Sequence, residues 1–354
     1  MSRSLRWDMD GLAVDTWNRV ARGDARGIRL REDTITELNL LELDLRHPKL
    51  WVHRFNQNAE KAVGGDWEWY VGFGQLWFAL RIQAKRMDND EYRQLQHEGA
   101  AGDNYQYDTL IRASQDEPIL TFPHYVFFNG WRTWPSGVQW YGCPSGVPLG
   151  RCGHASEQEM GCSAMPARLV RAIHAGRGVA GRRVSEYLPR SVPWSWLFGP
   201  HSVRSLTGAG RTGVRTNTSR IRSTADWGTH PEAPNNPTVL DVLRWHRAID
   251  AVARRAESDK ATLSDEGGFW DEVRAEFSQL VSGRSQDVAA QTEGLGPLPP
   301  HAALLMRAGA EPISEGLVAE LFNRIGQRRR TVIVTELDPG EALEQLRGED
   351  PALS

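Results

Sequence analysis

The chain has 354 residues, 40% of them hydrophobic and 25% charged, with a formal net charge of −3. That balance supports a packed core and excludes wholesale disorder, and no run of 18 apolar residues is present to cross a membrane. The start, MSRSLRWDMDG, has no apolar leader region, and three cysteines make no disulfide framework, so a bacterial-type cytoplasm is the expected compartment.

Taken in chain order, Thr34 and Glu37 are spaced as a capping box, and Ile35, Leu38, Leu41 and Leu45 follow at helical intervals up to Pro48. Residues 50–55 (LWVHRF) alternate like a strand. Trp67, Trp69 and Val71 alternate with Asp66, Glu68 and Tyr70 as a second strand, and residues 72–75 (GFGQ) supply a turn into a third, residues 76–82, which runs on through Gln83 and Lys85. A helix covers 106–114 and a fourth strand 124–129. Further helices are expected at 167–175 and 238–256, and a short strand at 331–337. The order α-β-β-β-α-β predicts an α/β (α+β) protein with a mixed sheet and a less regular, partly helical C-terminal half. The expected divisions are a core at 1–130, a Gly/Pro/Trp/Cys-rich extension at 131–201, a basic mobile arm at 202–236, and a helical region at 237–354 whose strand can return to the sheet. Nine of the 14 tryptophans fall between Trp51 and Trp196, as a Trp-rich core would have them.

The residues that carry chemistry are Asp66 and Glu68, followed by Gln83 and Lys85. Each pair is two residues apart on a strand, so each pair shares a face, and the turn folds one strand beside the other. Two carboxylates, an amide oxygen and an ammonium suit Mg²⁺ (or Mn²⁺) and a water for attack on a phosphodiester. Only four of 42 basic residues are lysine, so Lys85 does not follow the Arg habit of the chain.

The run GGDWEW followed by QAKR resembles the PD-(D/E)xK (restriction-endonuclease-like) nuclease superfamily, in its Mrr-type QxK variant. The resemblance covers about residues 30–130 and implies that superfamily's αβββαβ core, Mg²⁺-dependent cleavage of DNA, and a role in bacterial defence or DNA processing. It matches Asp66 to the metal-binding aspartate, Gln83 to the (D/E) position, Lys85 to the lysine and Glu37 to the acid of the first helix. Gly65 stands where that pattern has proline, and neutral Gln83 leaves one anion fewer unless Glu68 or Glu60 supplies it. The alternative is a catalytically inactive protein of this fold that binds nucleic acid or a protein partner.

Two other features bear on partners. Residues 168–224 hold eleven arginines against one acid. Arg204, Arg211, Arg215, Arg220 and Arg222, with Arg86 beside the site, are the expected nucleic-acid contacts, and Trp194 and Trp196 are candidates for stacking on bases. Cys143, Cys152, His154 and Cys162 form a weaker candidate for zinc, without a tight C-x-x-C knuckle. A homodimer is compatible with the sequence. Motor ATPase, dinucleotide-binding, zincin and α/β-hydrolase motifs are absent.

Overall fold

The computed structural model describes residues 4–54, 65–97, 105–140, 142, 155–177, 181–199, 237–258, 268–282, 288–308, 331–340 and 343. Two helices, α1 (Leu5–Ala25) and α2 (Glu32–Arg46), precede β1 (Leu50–Arg54), β2 (Trp67–Phe73) and β3 (Leu76–Arg86). Next come α3 (Gln106–Gln115), β4 (Thr121–Phe128), β5 (Cys162–Pro166), α4 (Ala167–Arg177) and β6 (Val192–Pro193). The remaining principal elements are α5 (Val239–Ser258), α6 (Gly268–Ser282), α7 (Pro300–Ala308) and β7 (Thr331–Glu336). The protein is a mixed α+β fold around one sheet of order β1-β7-β2-β3-β4-β5-β6. No helix among the described residues is long and apolar enough to cross a membrane.

β2 and β3 form an antiparallel hairpin closed at Phe73 and Leu76, with Gly74 at φ 56° in the turn. β3 then pairs in parallel with β4, and α3 lies in that crossover. β7 enters from the far end of the chain between β1 and β2, antiparallel to the first and parallel to the second. β5 and β6 extend the sheet on the other side. The sheet therefore does not stop at residue 130: the 131–201 region supplies two strands, and the last region supplies β7. The larger of two apolar clusters among the described residues reaches from Met9 to Leu343.

β3 is buried along all eleven residues because both its faces are covered. On one face, Tyr70, Trp77, Ala79 and Val332 pack with Ala302 and Leu305 of α7. On the other, Phe78 and Phe122 meet His246 of α5, and Trp69 meets Phe198 edge to face. Seven tryptophans are fully buried, among them Trp67, Trp69, Trp194 and Trp196, as a Trp-rich core requires.

Two local readings of the N-terminal region are corrected. α1 has no counterpart among the sequence-based elements. Its apolar stripe, Met9, Leu12, Ala13, Trp17 and Val20, is interrupted by Asp8, Asp10 and Asp15, yet the stripe and two of those acids are buried. α2 begins at Glu32 with Arg31 at its N-cap, so the capping box at Thr34 and Glu37 is not used. Its buried residues are Ile35, Asn39, Leu40 and Leu43, whereas Leu38, Leu41 and Leu45 are exposed.

Candidate active site

Asp66 immediately precedes β2, and its backbone N–H donates to Ile82 O (2.8 Å). A Cβ at residue 65 would meet Arg81 Cγ at 3.0 Å and Leu110 Cδ1 at 3.3 Å. The glycine in place of the expected proline thus has a steric cause: Arg81 and α3 close against the chain there.

Asp66 Oδ2 accepts two hydrogen bonds, from Ala84 N–H and from Gln83 Nε2, each at 2.6 Å. The Gln83 amide also donates to Ala84 O (3.0 Å). A carboxylate only accepts, so the nitrogen of Gln83 must face Asp66 and the oxygen must turn away. That oxygen, Oε1, is buried without a hydrogen-bond partner in a side chain that is 0% exposed. Buried amide oxygens are ordinarily satisfied, so this atom is a candidate donor to a ligand, as is the Gln106 Oε1 of α3, which is also without a partner.

Lys85 follows Gln83 on the same face by strand alternation, and its Nζ lies 3.9 Å from Glu32 Oε1. Glu32 Oε2 in turn accepts the Arg86 backbone N–H (2.9 Å). The first residue of α2 is therefore fastened to the end of β3. Tyr125 stands beside Gln83 on β4. Burial pushes its phenol well above the usual range, and Asp66, its tyrosine neighbours and Glu32 add to the shift, so both carboxylates act electrostatically on one phenol.

The structure thus brings together Asp66, Gln83 and Lys85 of the sequence-derived set, and adds Glu32. It does not bring Glu68 with them. Glu68 is directly opposite Arg81, whose guanidinium holds Glu68 Oε1 through Nε (2.9 Å) and Nη2, while the Tyr70 hydroxyl donates to Oε2 (2.8 Å). Arg81 is also paired with Glu117, and Tyr70 lies 3.2 Å from His301 Nε2. Glu68 belongs to this ion network because a fully buried guanidinium requires a counterion. Glu37 is on the exposed side of α2, five residues and about 140° of helix from Glu32. The signal that could have found Glu32 is the pair of acids, Glu32 and Asp33, in the first helical turn.

Other expected contacts are also relocated. Arg86 is 7% exposed and turned to the opposite face, bonded to Asp24 and Met87 O, so it is not a surface contact for nucleic acid. Trp194 and Trp196 are buried, the former donating to Met9 O (2.6 Å), and cannot stack on bases. Arg168 and Arg171 are paired with acids of α5, Asp250 and Glu257. Arg204, Arg211, Arg215, Arg220 and Arg222 lie outside the described residues, as do Glu60, Cys143, Cys152 and His154. Cys162, the remaining zinc candidate, is a buried β5 thiol accepting from Asn39 Nδ2 (3.6 Å) and pushed up to about 12 by burial.

For a hard divalent cation the donor set is better. Among the described residues no three His, Cys, Asp or Glu side chains gather as a metal site. Asp66 and the Gln83 amide oxygen are both oxygen donors, however, and Mg²⁺ needs only one or two carboxylates because it retains waters.

Neither a curated protein nor a solved structure matches the chain. A family model described as a family of unknown function, DUF6615, matches residues 6–290 and so takes in every element from α1 to α6 and the whole candidate site. The chain belongs to the DUF6615 family.

Proposed function

We propose that this protein is a divalent-metal-dependent nuclease that hydrolyses phosphodiester bonds, with DNA as its substrate and a role in bacterial defence or DNA processing. The observation that carries the reading is the buried, unpartnered Gln83 Oε1 beside Asp66, with Lys85 next on the same face. Asp66 and Gln83 would hold Mg²⁺ or Mn²⁺, and Glu32 stands on the far side of Lys85. The metal, when bound, supplies polarisation of the phosphoryl oxygen and a water of lowered pKa. Lys85 orients that water and faces the charge developing on the phosphate, and Glu32 holds the ammonium in place. The hydrogen bonds from Ala84 N–H and Gln83 fix the Asp66 carboxylate, so the donor set is pre-arranged by β3 itself.

The alternative, an inactive protein of the same fold that binds nucleic acid, is favoured by one fact: Asp66 and Lys85 are only 6% and 3% exposed. One experiment separates the two. The purified full chain is titrated with Mn²⁺ by calorimetry and incubated with plasmid DNA and a duplex RNA in Mg²⁺ or Mn²⁺, each with Asp66→Asn alongside. The nuclease reading expects one or two Mn²⁺ sites lost in the variant and EDTA-sensitive cleavage of DNA by the wild type. Mn²⁺ binding without cleavage selects the inactive alternative, and absence of Mn²⁺ binding overturns the site.

A further inference from the structure

Residues 19–31 (RVARGDARGIRLR) carry five arginines, Arg19, Arg22, Arg26, Arg29 and Arg31, against one acid, Asp24. All five are exposed. The segment is the corner between α1 and α2, and it is well constrained. Ile28 N–H donates to Gly23 O (2.8 Å) and Gly27 N–H to Asp24 O (3.2 Å), with Gly27 at φ 71°, the double closure of a helix C-terminus by a left-handed residue. A Cβ on Gly23 would strike Ile28 O at 2.5 Å, so the turn packs backbone on backbone.

The corner is tied to the end of the strand that carries Gln83 and Lys85. Asp24 pairs with Arg86, Glu32 takes the Arg86 N–H, and Arg29 Nη2 lies 3.1 Å from Asp88 Oδ2. These contacts occupy the local acids: Asp24 by Arg86, Glu32 by Lys85 at 3.9 Å, and Asp88 by Arg29 and by Arg93 at 3.5 Å. Arg22, Arg26 and Arg31 form no ion pair among the described residues. Three uncompensated guanidinium groups therefore stand on a stiff corner fastened to residues 85–88. Arg93, half exposed, continues the positive surface past Asp88.

We propose that this arginine corner is the surface along which the phosphate backbone of duplex DNA lies as it reaches the candidate site; the proposal rests on the nuclease reading for the identity of its occupant. Arginine donates in a planar fork suited to phosphate, and a preformed corner loses little freedom on binding. The sequence-derived arm at 202–236 is not needed for this surface.

The test measures binding of the full chain to a 20-bp duplex DNA in EDTA, where cleavage is blocked, over a range of salt concentrations. Each phosphate contact contributes roughly −0.9 to the slope of log K against log salt. The triple variant Arg22→Gln, Arg26→Gln, Arg31→Gln is expected to flatten that slope by about 2 to 3 units and to weaken binding to unrelated duplex sequences equally. The matching triple to Lys keeps the charge and is expected to restore the slope, which a misfolded protein could not do. An unchanged slope in the Gln triple, no duplex binding by the wild type, or tighter salt-sensitive binding to anionic lipid vesicles than to duplex overturns the proposal. Its failure is separable from that of the nuclease reading. Metal-dependent cleavage with a slope indifferent to the Gln triple removes the corner and keeps the nuclease. A slope that falls in the Gln triple, in a protein that never cleaves, keeps the corner and removes the nuclease.

Discussion

Asp66 and Glu68 are two residues apart, face the same side of the sheet, and look across at two neighbouring positions of β3, yet they end in different chemistry. Opposite Glu68 stands Arg81, and the result is a buried network in which Glu68 and Glu117 share one guanidinium and the Tyr70 hydroxyl donates to Glu68. Beside Asp66 stands Gln83, and the donors are an amide and a backbone N–H, neither of which carries charge. The first cluster ties two carboxylates to one guanidinium. The second holds its carboxylate through uncharged donors and leaves the Gln83 amide oxygen buried beside it without a hydrogen-bond partner. Strand alternation put both acids on the right face. The residue across the ladder decides which of them is structural glue and which can take a cation.

The largest expected effect separates the two acids directly. Asp66→Asn should lower metal-dependent cleavage by about 10³-fold or more, since a bound metal supplies several kcal/mol of transition-state stabilisation. Its melting temperature should barely move, because Asn keeps an oxygen for the Ala84 N–H. Glu68→Gln should do the reverse. Glu68→Gln leaves Glu117 as the counterion of Arg81 but removes a charged acceptor from a buried network, which costs about 1–3 kcal/mol in unfolding experiments. Cleavage per folded molecule and Mn²⁺ affinity should stay near wild type. If Glu68→Gln abolished metal binding without loss of stability, the assignment of the two acids would have to be exchanged.

A third environment, on the opposite face of the same strands, sharpens the contrast: polar groups buried with neither cation nor carboxylate bonded to them. His124 and His246 lie edge to face with centroids 4.9 Å apart, each bonded to a backbone carbonyl, Phe122 O at 3.2 Å and Leu197 O at 2.7 Å. Burial lowers both, His124 from 6.5 to about 4 and His246 well below its usual value. A depressed histidine stays neutral in the folded protein while the unfolded chain takes up a proton, so the unfolded state binds more protons below about pH 6.5. Stability is then full above that pH and falls as pH drops toward about 4. The His124 shift alone corresponds to roughly 3 kcal/mol across that window. Urea melts from pH 7 to 4.5 should show the decline, and the double variant His124→Gln, His246→Gln should flatten it. A pH profile identical in the two proteins would assign the acid sensitivity to other groups.

How much of this was legible in the sequence depends on whether a signal is local. The β2–β3 hairpin, its turn and the Asp66–Gln83 neighbourhood follow from period-two alternation across a short loop, and all three are present. The helices expected at 167–175 and 238–256 are present as Ala167–Arg177 and Val239–Ser258. For Glu68, alternation gives a face and not a partner; its pairing with Arg81 depends on register and burial. α1 was passed over because buried Asp8 and Asp10 break its apolar stripe, and those acids are affordable only beside Arg46 and His47 of α2 or near Arg6. Trp194 and Trp196 read as base-stacking candidates only while their surroundings were unknown. The start expected from Thr34 lies three residues late because Thr34 is a better cap residue than Arg31, and the tie from Glu32 to Arg86 outweighs that preference.

That last displacement supplies the finest discrimination. Glu32 and Glu37 sit on one helix, and the resemblance matches the second to the acid of the first helix. In the structure Glu32 touches Lys85 and the β3 backbone, whereas Glu37 is exposed. Glu32→Gln removes the charge that faces the Lys85 ammonium but keeps an oxygen for the Arg86 N–H, so the fold should hold. Losing a partner that orients a group in a metal site typically costs about 10- to 100-fold, and the lower end is expected here because Glu32 acts across 3.9 Å. Glu37→Gln should change stability by no more than about 0.5 kcal/mol and leave Mn²⁺ affinity and cleavage alone, as surface substitutions generally do. Parallel Mn²⁺ titrations and cleavage rates on the two variants decide the matter. Equal losses, or a loss confined to Glu37→Gln, would mean that α2 meets the site through its other side, and the fastening of Glu32 to the end of β3 would be a structural clamp with no part in the chemistry.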